Sequence, residues 1–316
     1  MSYCIGIDLG GTAIKAGLAD SKGEIKDSFQ IPTGVEANSA ETVVENIKQC
    51  IRQLLEKNKD VRVSAVGIGV PGIAHDNGNI TIFANIRVFD DYPLASEIQK
   101  TFDIPTFVDN DANNAASGEF FFGVGKGKKH FLLVTLGTGI GAGIYVNGAV
   151  YTGANGGAGE VGHMIIVPDG RLCGCGNNGC WETYGSATSM IKRALSMLGR
   201  GIESSLRKYY PNELNAKVIG DEARAGDMLA LEVFNETAHY VGVGLANLIN
   251  CFNPELIVIG GGLSNAGDFL LDKVKVSAKL NSAPPSWSAV EIKTASLGNK
   301  AGVLGSAALA FIKSGA

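Results

Sequence analysis

The sequence has no excess of positive charge. Its 316 residues include 27 lysines and arginines against 31 aspartates and glutamates, a formal net charge of −4. A protein that binds polyanions broadly carries a basic surplus, so nucleic acid is not an expected partner. No stretch approaches the roughly 18 uninterrupted apolar residues of a membrane span, so no membrane partner is expected. Residues 1–20 read strand, turn, strand, without a basic leader or a long apolar run, and the cytoplasm is the expected location. No G-x-x-x-x-G-K-[ST] occurs, which sets aside a P-loop. No low-complexity linker marks a domain boundary.

Glycine is what the chain has in quantity. There are 43, in no collagen-like period, clustered in short apolar contexts where backbone can turn tightly or approach a ligand. With 45% hydrophobic residues, the chain is long enough for a well-buried core and for two domains. Cys4, Cys50 and Cys251 lie singly in apolar segments and read as small core residues. Cys173, Cys175 and Cys180 are clustered and read differently.

Residues 3–9 form a short apolar run typical of a buried strand, Gly10, Gly11 and Thr12 make a turn, and residues 13–19 return. Residues 41–57 place Val43, Val44, Ile47, Ile51, Leu54 and Leu55 at helical spacing behind Ser39, a suitable N-cap. Residues 63–70 are a buried strand ending at Pro71-Gly72. A similar order returns with strand 131–136, turn Gly137-Thr138-Gly139, return 140–146, apolar helix 228–250 and strand 256–259 before Gly260-Gly261-Gly262. The pattern predicts an internal duplication of an α/β unit, the second copy carrying an insertion over about residues 150–227. Two such domains facing one another would bring both Gly-Thr turns to one cleft.

Three segments carry chemistry. In the first, Asp8 to Lys15, a glycine turn can offer N–H groups to phosphate, and an aspartate at a strand end can hold Mg²⁺ or its waters. An ordinary Gly-Gly hairpin is the alternative. The second turn, at 137–139, favours phosphate, since two such turns suit one polyphosphate held from both sides. G-T-G-I-G-A-G matches a Rossmann fingerprint only loosely, because a strand follows it instead of a helix. In the second segment, Phe107 to Ala116, a strand ends at Val108 and a helix begins near Ala112. Asp111 at the junction is either the helix cap or a general base that takes a proton from a hydroxyl nucleophile during phosphoryl transfer, with Asn110 as a neighbouring hydrogen-bonding group.

The third segment runs from Gly157 to Glu182. Cys173, Cys175 and Cys180, with His163 ten residues upstream, supply three sulfurs and one nitrogen, which suits tetrahedral Zn²⁺. The rival is a disulfide, which a reducing compartment disfavours. A closed four-ligand site makes the metal structural. Glu160 and Glu182 are then free carboxylates in a rigid place, either surface groups or acceptors for sugar hydroxyls.

Together D-L-G-G-T-A-I-K, V-D-N-D-A-N, G-T-G-I-G-A-G, G-A-G-E-V-G-H and C-G-C-G-N-N-G-C-W-E resemble the ROK family of sugar kinases and repressors, in the right order over nearly the whole chain. The resemblance implies a two-domain actin-like (ribonuclease H-like) ATPase fold of α/β class, with an interdomain cleft and a zinc-binding insertion. The smaller domain would span 1–120, joined by a helix of about 301–316, and the larger 121–300. It implies ATP-dependent phosphorylation of a hexose at the 6-hydroxyl, with glucose the first expectation and Asp111 the base. Gly72, Asn85, Asn110, Glu160, His163 and Glu182 would surround the sugar. Asp8, Gly10, Gly11, Thr12, Lys15, Gly137, Thr138, Gly139, Gly261 and Gly262 would hold ATP and its Mg²⁺, and His163, Cys173, Cys175 and Cys180 a structural Zn²⁺. His163 would bind zinc through one ring nitrogen and face the sugar with the other. Asn85 is followed by Ile86-Arg87, where glucokinases of this type often show N-L and then an aromatic. Alternatives are an N-acetylglucosamine or N-acetylmannosamine kinase, a broad hexokinase, a non-catalytic sugar-binding protein, or a sugar-responsive repressor. The last would carry a helix-turn-helix ahead of the phosphate turn, which here begins at Asp8. The family commonly forms dimers or tetramers, so a homo-oligomer is expected.

Overall fold

The computed structural model describes residues 2–37, 39–74, 78–83 and 92–316. Contacts divide the chain into two compact units: Met1–Lys128 with Gly143–Gly159 and Ser296–Ala316, and Lys129–Ala142 with Glu160–Ala295. The chain therefore leaves the first unit at residue 128, not 120, and returns to it at 143–159.

The first unit is built on β1 (Tyr3–Leu9), β2 (Ala13–Asp20), β3 (Ile25–Pro32), α1 (Ala40–Lys57), β4 (Val63–Val70), β5 (Gly72–Ala74), β6 (Ile80–Phe83), α2 (Leu94–Phe102), β7 (Thr106–Asn110) and α3 (Asp111–Phe121). Its sheet runs β3-β2-β1-β4-β7, and β5 pairs with β6 apart from it. The hairpin strands are antiparallel, while β4 lies parallel to both β1 and β7. Period-two alternation explains the layering. Ile5, Ile7 and Leu9, Ile14 and Leu18, and Val66, Ile68 and Val70 turn one face to Val43, Val44, Ile47, Ile51 and Leu54 of α1. Ser39 caps α1 as expected, accepting from Thr42 N at 3.3 Å. The other face packs Cys4, Ala19 and Ala65 against Leu304, Ala307, Ala310 and Phe311 of the C-terminal helix, Ala301–Ser314. A side chain on Gly6 or Gly67 would strike the carbonyl of Val303 or Ser306, so these glycines let that helix lie directly on the strands. Polar residues alternate along β3, which is half-buried and gives no continuous apolar run.

The second sheet runs β10-β9-β8-β11-β12, from β8 (Phe131–Leu136), β9 (Ile140–Val146), β10 (Ala149–Val150), β11 (Leu256–Gly260) and β12 (Glu291–Thr294). This is the first sheet's order of third, second, first, fourth and fifth strand, as a duplication requires. Helices α4 (Glu182–Gly185), α5 (Ala187–Gly199), α6 (Ala216–Arg224), α7 (Met228–Phe252), α8 (Asp268–Asn281) and α9 (Pro284–Ala289) complete it, and α10 is the C-terminal helix. Cys251 is exposed, contrary to the core position expected from its apolar neighbours. It stands in the last turn of α7, where Cys251 and Phe252 both face outward. Cys4 and Cys50 are buried as expected, and desolvation pushes their thiols up to about 12 and about 11. No helix among the described residues is long and apolar enough to cross a membrane.

Candidate functional site

In the first unit, β1 delivers Asp8 to the head of the Gly10-Gly11-Thr12 turn, and β2 returns with Lys15 opposite Asp8 in register. Gly10 N–H closes the turn on Ala13 O at 3.0 Å. Gly11 and Thr12 are exposed, and a Cβ on Gly11 would meet nothing within 4 Å. The Asp8 carboxylate lies against Gly302 in the first turn of α10, a contact that sequence spacing could not reveal. Burial pushes the pKa of Asp8 up, and the Lys15 ammonium draws it back. A partly buried carboxylate beside an open glycine turn fits a divalent cation or its water shell.

Strand β7 runs on to Asn110, two residues past the expected end at Val108, and α3 begins at Asp111. Asn110 is the cap: its Oδ1 accepts from Ala112 N at 2.8 Å and Asn113 N at 3.3 Å. Its Nδ2 donates to Gly72 O at 3.0 Å, which ties the Pro71-Gly72 turn to the junction. Asp111 therefore does not serve as the cap. It is exposed in the first turn of α3, where a helix favours negative charge, and its Oδ1 accepts from Ala112 N at 2.8 Å. Asn85 lies outside the described residues.

In the second unit, Gly137 N–H bonds Gly139 O at 3.0 Å, and Ala187 N–H at the start of α5 bonds Gly137 O at 2.9 Å. A Cβ on Gly139 would lie 2.6 Å from Glu182 Oε2. The Gly137-Thr138-Gly139 turn and Glu182, which lie in separate segments, are thus immediate neighbours. Gly261 has φ +81°, and a Cβ there would lie 2.5 Å from Leu136 O, so the glycine turn after β11 packs on the residue that precedes Gly137. Glu182 opens α4 behind Trp181, whose ring is fully buried and whose Nε1 donates to Tyr240 O at 2.8 Å. The Glu182 Oε1 accepts from the Cys173 thiol at 3.1 Å and lies 3.9 Å from His163 Nδ1. Glu160 Oε2 is 4.0 Å from His163 Nε2. Each ring nitrogen of His163 therefore has a glutamate close by.

His163, Cys173, Cys175 and Cys180 bring their ligand atoms within 4.8 Å of one another. A tetrahedron with Zn–S bonds of about 2.3 Å has S···S edges of about 3.8 Å. Here Cys175 Sγ and Cys180 Sγ are 3.6 Å apart, as are Cys173 Sγ and His163 Nδ1, so the donor set fits. Backbone hydrogen bonds pin the loop that carries the cysteines. Cys173 N–H bonds Asn177 O at 2.8 Å, Gly179 N–H bonds Arg171 O at 2.8 Å, and Trp181 N–H bonds Met164 O at 2.8 Å. The cysteines are free thiols, and 3.6 Å is far beyond a disulfide bond of about 2.05 Å. The Cys175 thiol is drawn down to about 7, chiefly by the Asn177 N–H, whereas burial pushes Cys173 up to about 12.

Two α/β units of like strand order, each with a glycine turn after its leading strand, have the kinase fold of ROK proteins. The chain belongs to the ROK family, whose pattern it matches over residues 4–312. It is 41% identical over 309 residues to a glucokinase of Halalkalibacterium halodurans, covering 96% of this chain and 93% of that one. A ROK glucokinase from Streptomyces griseus, solved with glucose and AMPPNP, superposes with a TM-score of 0.82 at 35% identity, covering 98% and 99% of the two chains. A ROK hexokinase from Thermus thermophilus gives 0.83 at 31% identity, covering 98% of each chain.

Proposed function

We propose that this protein transfers the γ-phosphoryl group of ATP to the 6-hydroxyl of glucose. The sugar O6 bonds to the γ-phosphorus, the bond from that phosphorus to the bridging oxygen breaks, and ADP leaves. The hydroxyl proton passes to the Asp111 carboxylate. The observation that carries this reading is the position of Asp111: an exposed carboxylate at a strand–helix junction whose capping is already done by Asn110. General-base assistance of this kind is worth about 10²–10⁴-fold. The names of the relatives, and the glucose and AMPPNP in the Streptomyces griseus structure, favour glucose and ATP over other pairs.

In this reading Gly72, Asn110, Glu160, His163 and Glu182 hydrogen-bond the other sugar hydroxyls, with Asn85 added by family resemblance. Asp8, Gly10, Gly11, Thr12 and Lys15 are assigned to ATP phosphates and Mg²⁺, and Gly137, Thr138, Gly139, Gly261 and Gly262 to ATP. Zn²⁺ would be held by His163, Cys173, Cys175 and Cys180 in a closed structural site. His163 Nδ1, on the side of Cys173, would be its ligand atom, and a metal there would hold the imidazole so that Nε2, on the side of Glu160, could meet a hydroxyl. We assign the fold to the actin-like class, place the protein in the cytoplasm, where free thiols persist, and expect a homo-oligomer.

The test is kcat/KM measured side by side on glucose, mannose, fructose, N-acetylglucosamine and N-acetylmannosamine with ATP. Glucose should lead. A higher value on an N-acetyl sugar would move the substrate to that class, and no turnover of any hexose would refute the reading.

A further inference from the structure

Thr33 follows the last residue of β3 and is fully buried, although nothing in its sequence context marks it for function. Its hydroxyl donates to Gly10 O at 2.6 Å, and its N–H donates to Thr12 O at 3.1 Å. One residue, distant in the chain, thus takes two carbonyls of the Gly10-Gly11-Thr12 turn. Thr33 is itself held from α1, where Asn46 Nδ2 donates to Thr33 O at 3.1 Å. Gly34 follows at φ +81°, and a Cβ there would lie 2.9 Å from Asn46 Nδ2.

The consequence follows from peptide geometry. In a trans peptide the N–H points opposite to the preceding carbonyl. With the Gly10 carbonyl drawn to Thr33, the Gly11 N–H is turned away from Thr33. With the Thr12 carbonyl drawn the same way, the Ala13 N–H is turned away too. A phosphate oxygen approaching the open side of Gly11 therefore meets donors. If either peptide rotated, it would present a carbonyl oxygen to the anion, and repulsion would replace a hydrogen bond. A glycine turn rotates easily, so it needs an external constraint to keep one orientation.

We infer that Thr33 is a positioning residue for nucleotide binding: by anchoring the carbonyls of Gly10 and Thr12 it orients the first phosphate turn to present N–H groups to ATP. The inference rests on the reading of the chain as an ATP-dependent sugar kinase. Thr33→Val keeps volume and burial, and removes only the hydroxyl. It should raise KM for ATP about tenfold, the worth of one well-placed hydrogen bond and its knock-on disorder. The kcat at saturating ATP and the KM for glucose should change little, which is the signature of lost uniform binding. Thr33→Ser restores the hydroxyl and should restore KM for ATP. Ile47→Val, in the core beside the same sheet, controls for lost stability and should leave KM for ATP alone. A Thr33→Val enzyme with the wild-type KM for ATP would overturn the inference, as would an equal rise in Ile47→Val. If Thr33→Val does not fold, Asn46→Ala carries the test, and an unchanged KM for ATP in it has the same force. Wild-type turnover of glucose with ATP in the same assay separates failure of this inference from failure of the kinase reading.

Discussion

Asn110 caps α3 with its own side-chain oxygen, and Asp111 stands one position further on as the first residue of the helix. The two adjacent residues divide the work of the junction. Asn110 satisfies backbone donors and ties down Gly72, while Asp111 keeps an exposed carboxylate there. Asn110→Ala should therefore cost stability, by about 0.5–2 kcal/mol in denaturant titration, since it removes a cap. Asp111→Ala should cost less, because the cap remains. An Asp111→Ala protein less stable than Asn110→Ala would show that the assignment of the cap is wrong.

The four-ligand cluster leads to an expectation about metal content. Purified protein should carry about one zinc per chain, as a closed site of one histidine and three cysteines does. Cys175→Ser should lose metal and sugar affinity together, because the proposed zinc would then no longer orient His163. Metal analysis and calorimetry with glucose check this. Active, untreated protein without metal would refute it.

The two glycine turns should respond differently to a bulky side chain. Neither Gly11 nor Gly139 has positive φ, so valine is not barred from either position by backbone strain. At Gly11 the space is open, and Gly11→Val should raise KM for ATP and leave glucose affinity nearly unchanged. At Gly139 a new side chain would collide with the Glu182 carboxylate, so Gly139→Val should weaken ATP and glucose alike. Glucose titrations of the two variants without nucleotide separate these outcomes. A wild-type glucose affinity in Gly139→Val would remove Glu182 from the sugar site.

Much of this was legible in the sequence because the chemistry is local. Strand–turn–strand runs, the helical spacing of α1 and the Cys-x-Cys-x4-Cys spacing are short-range patterns, and the repeated order of elements suggested the matching strand orders of the two sheets. What the sequence hid depends on contacts between distant segments. Gly139 beside Glu182, Asp8 against Gly302, and Thr33 on the Gly10-Gly11-Thr12 turn each join positions far apart in the chain. Hydropathy also misled at Cys251, since an apolar segment does not say which face of its last turn meets solvent. At Asp111, type alone could not choose between cap and base. The hydrogen bonds of Asn110 give the cap to that residue, and the base role of Asp111 rests on the proposal.

The most direct test of the central claim is the turnover of Asp111→Asn with glucose and ATP, alongside calorimetric affinity for glucose. The substitution keeps the shape of the side chain and removes the basic oxygen. Folding and glucose affinity should stay near wild type while kcat falls by about 10²–10⁴-fold. A variant that keeps more than half of the wild-type kcat would contradict Asp111 as the base, and with it the account of how this site transfers a phosphoryl group.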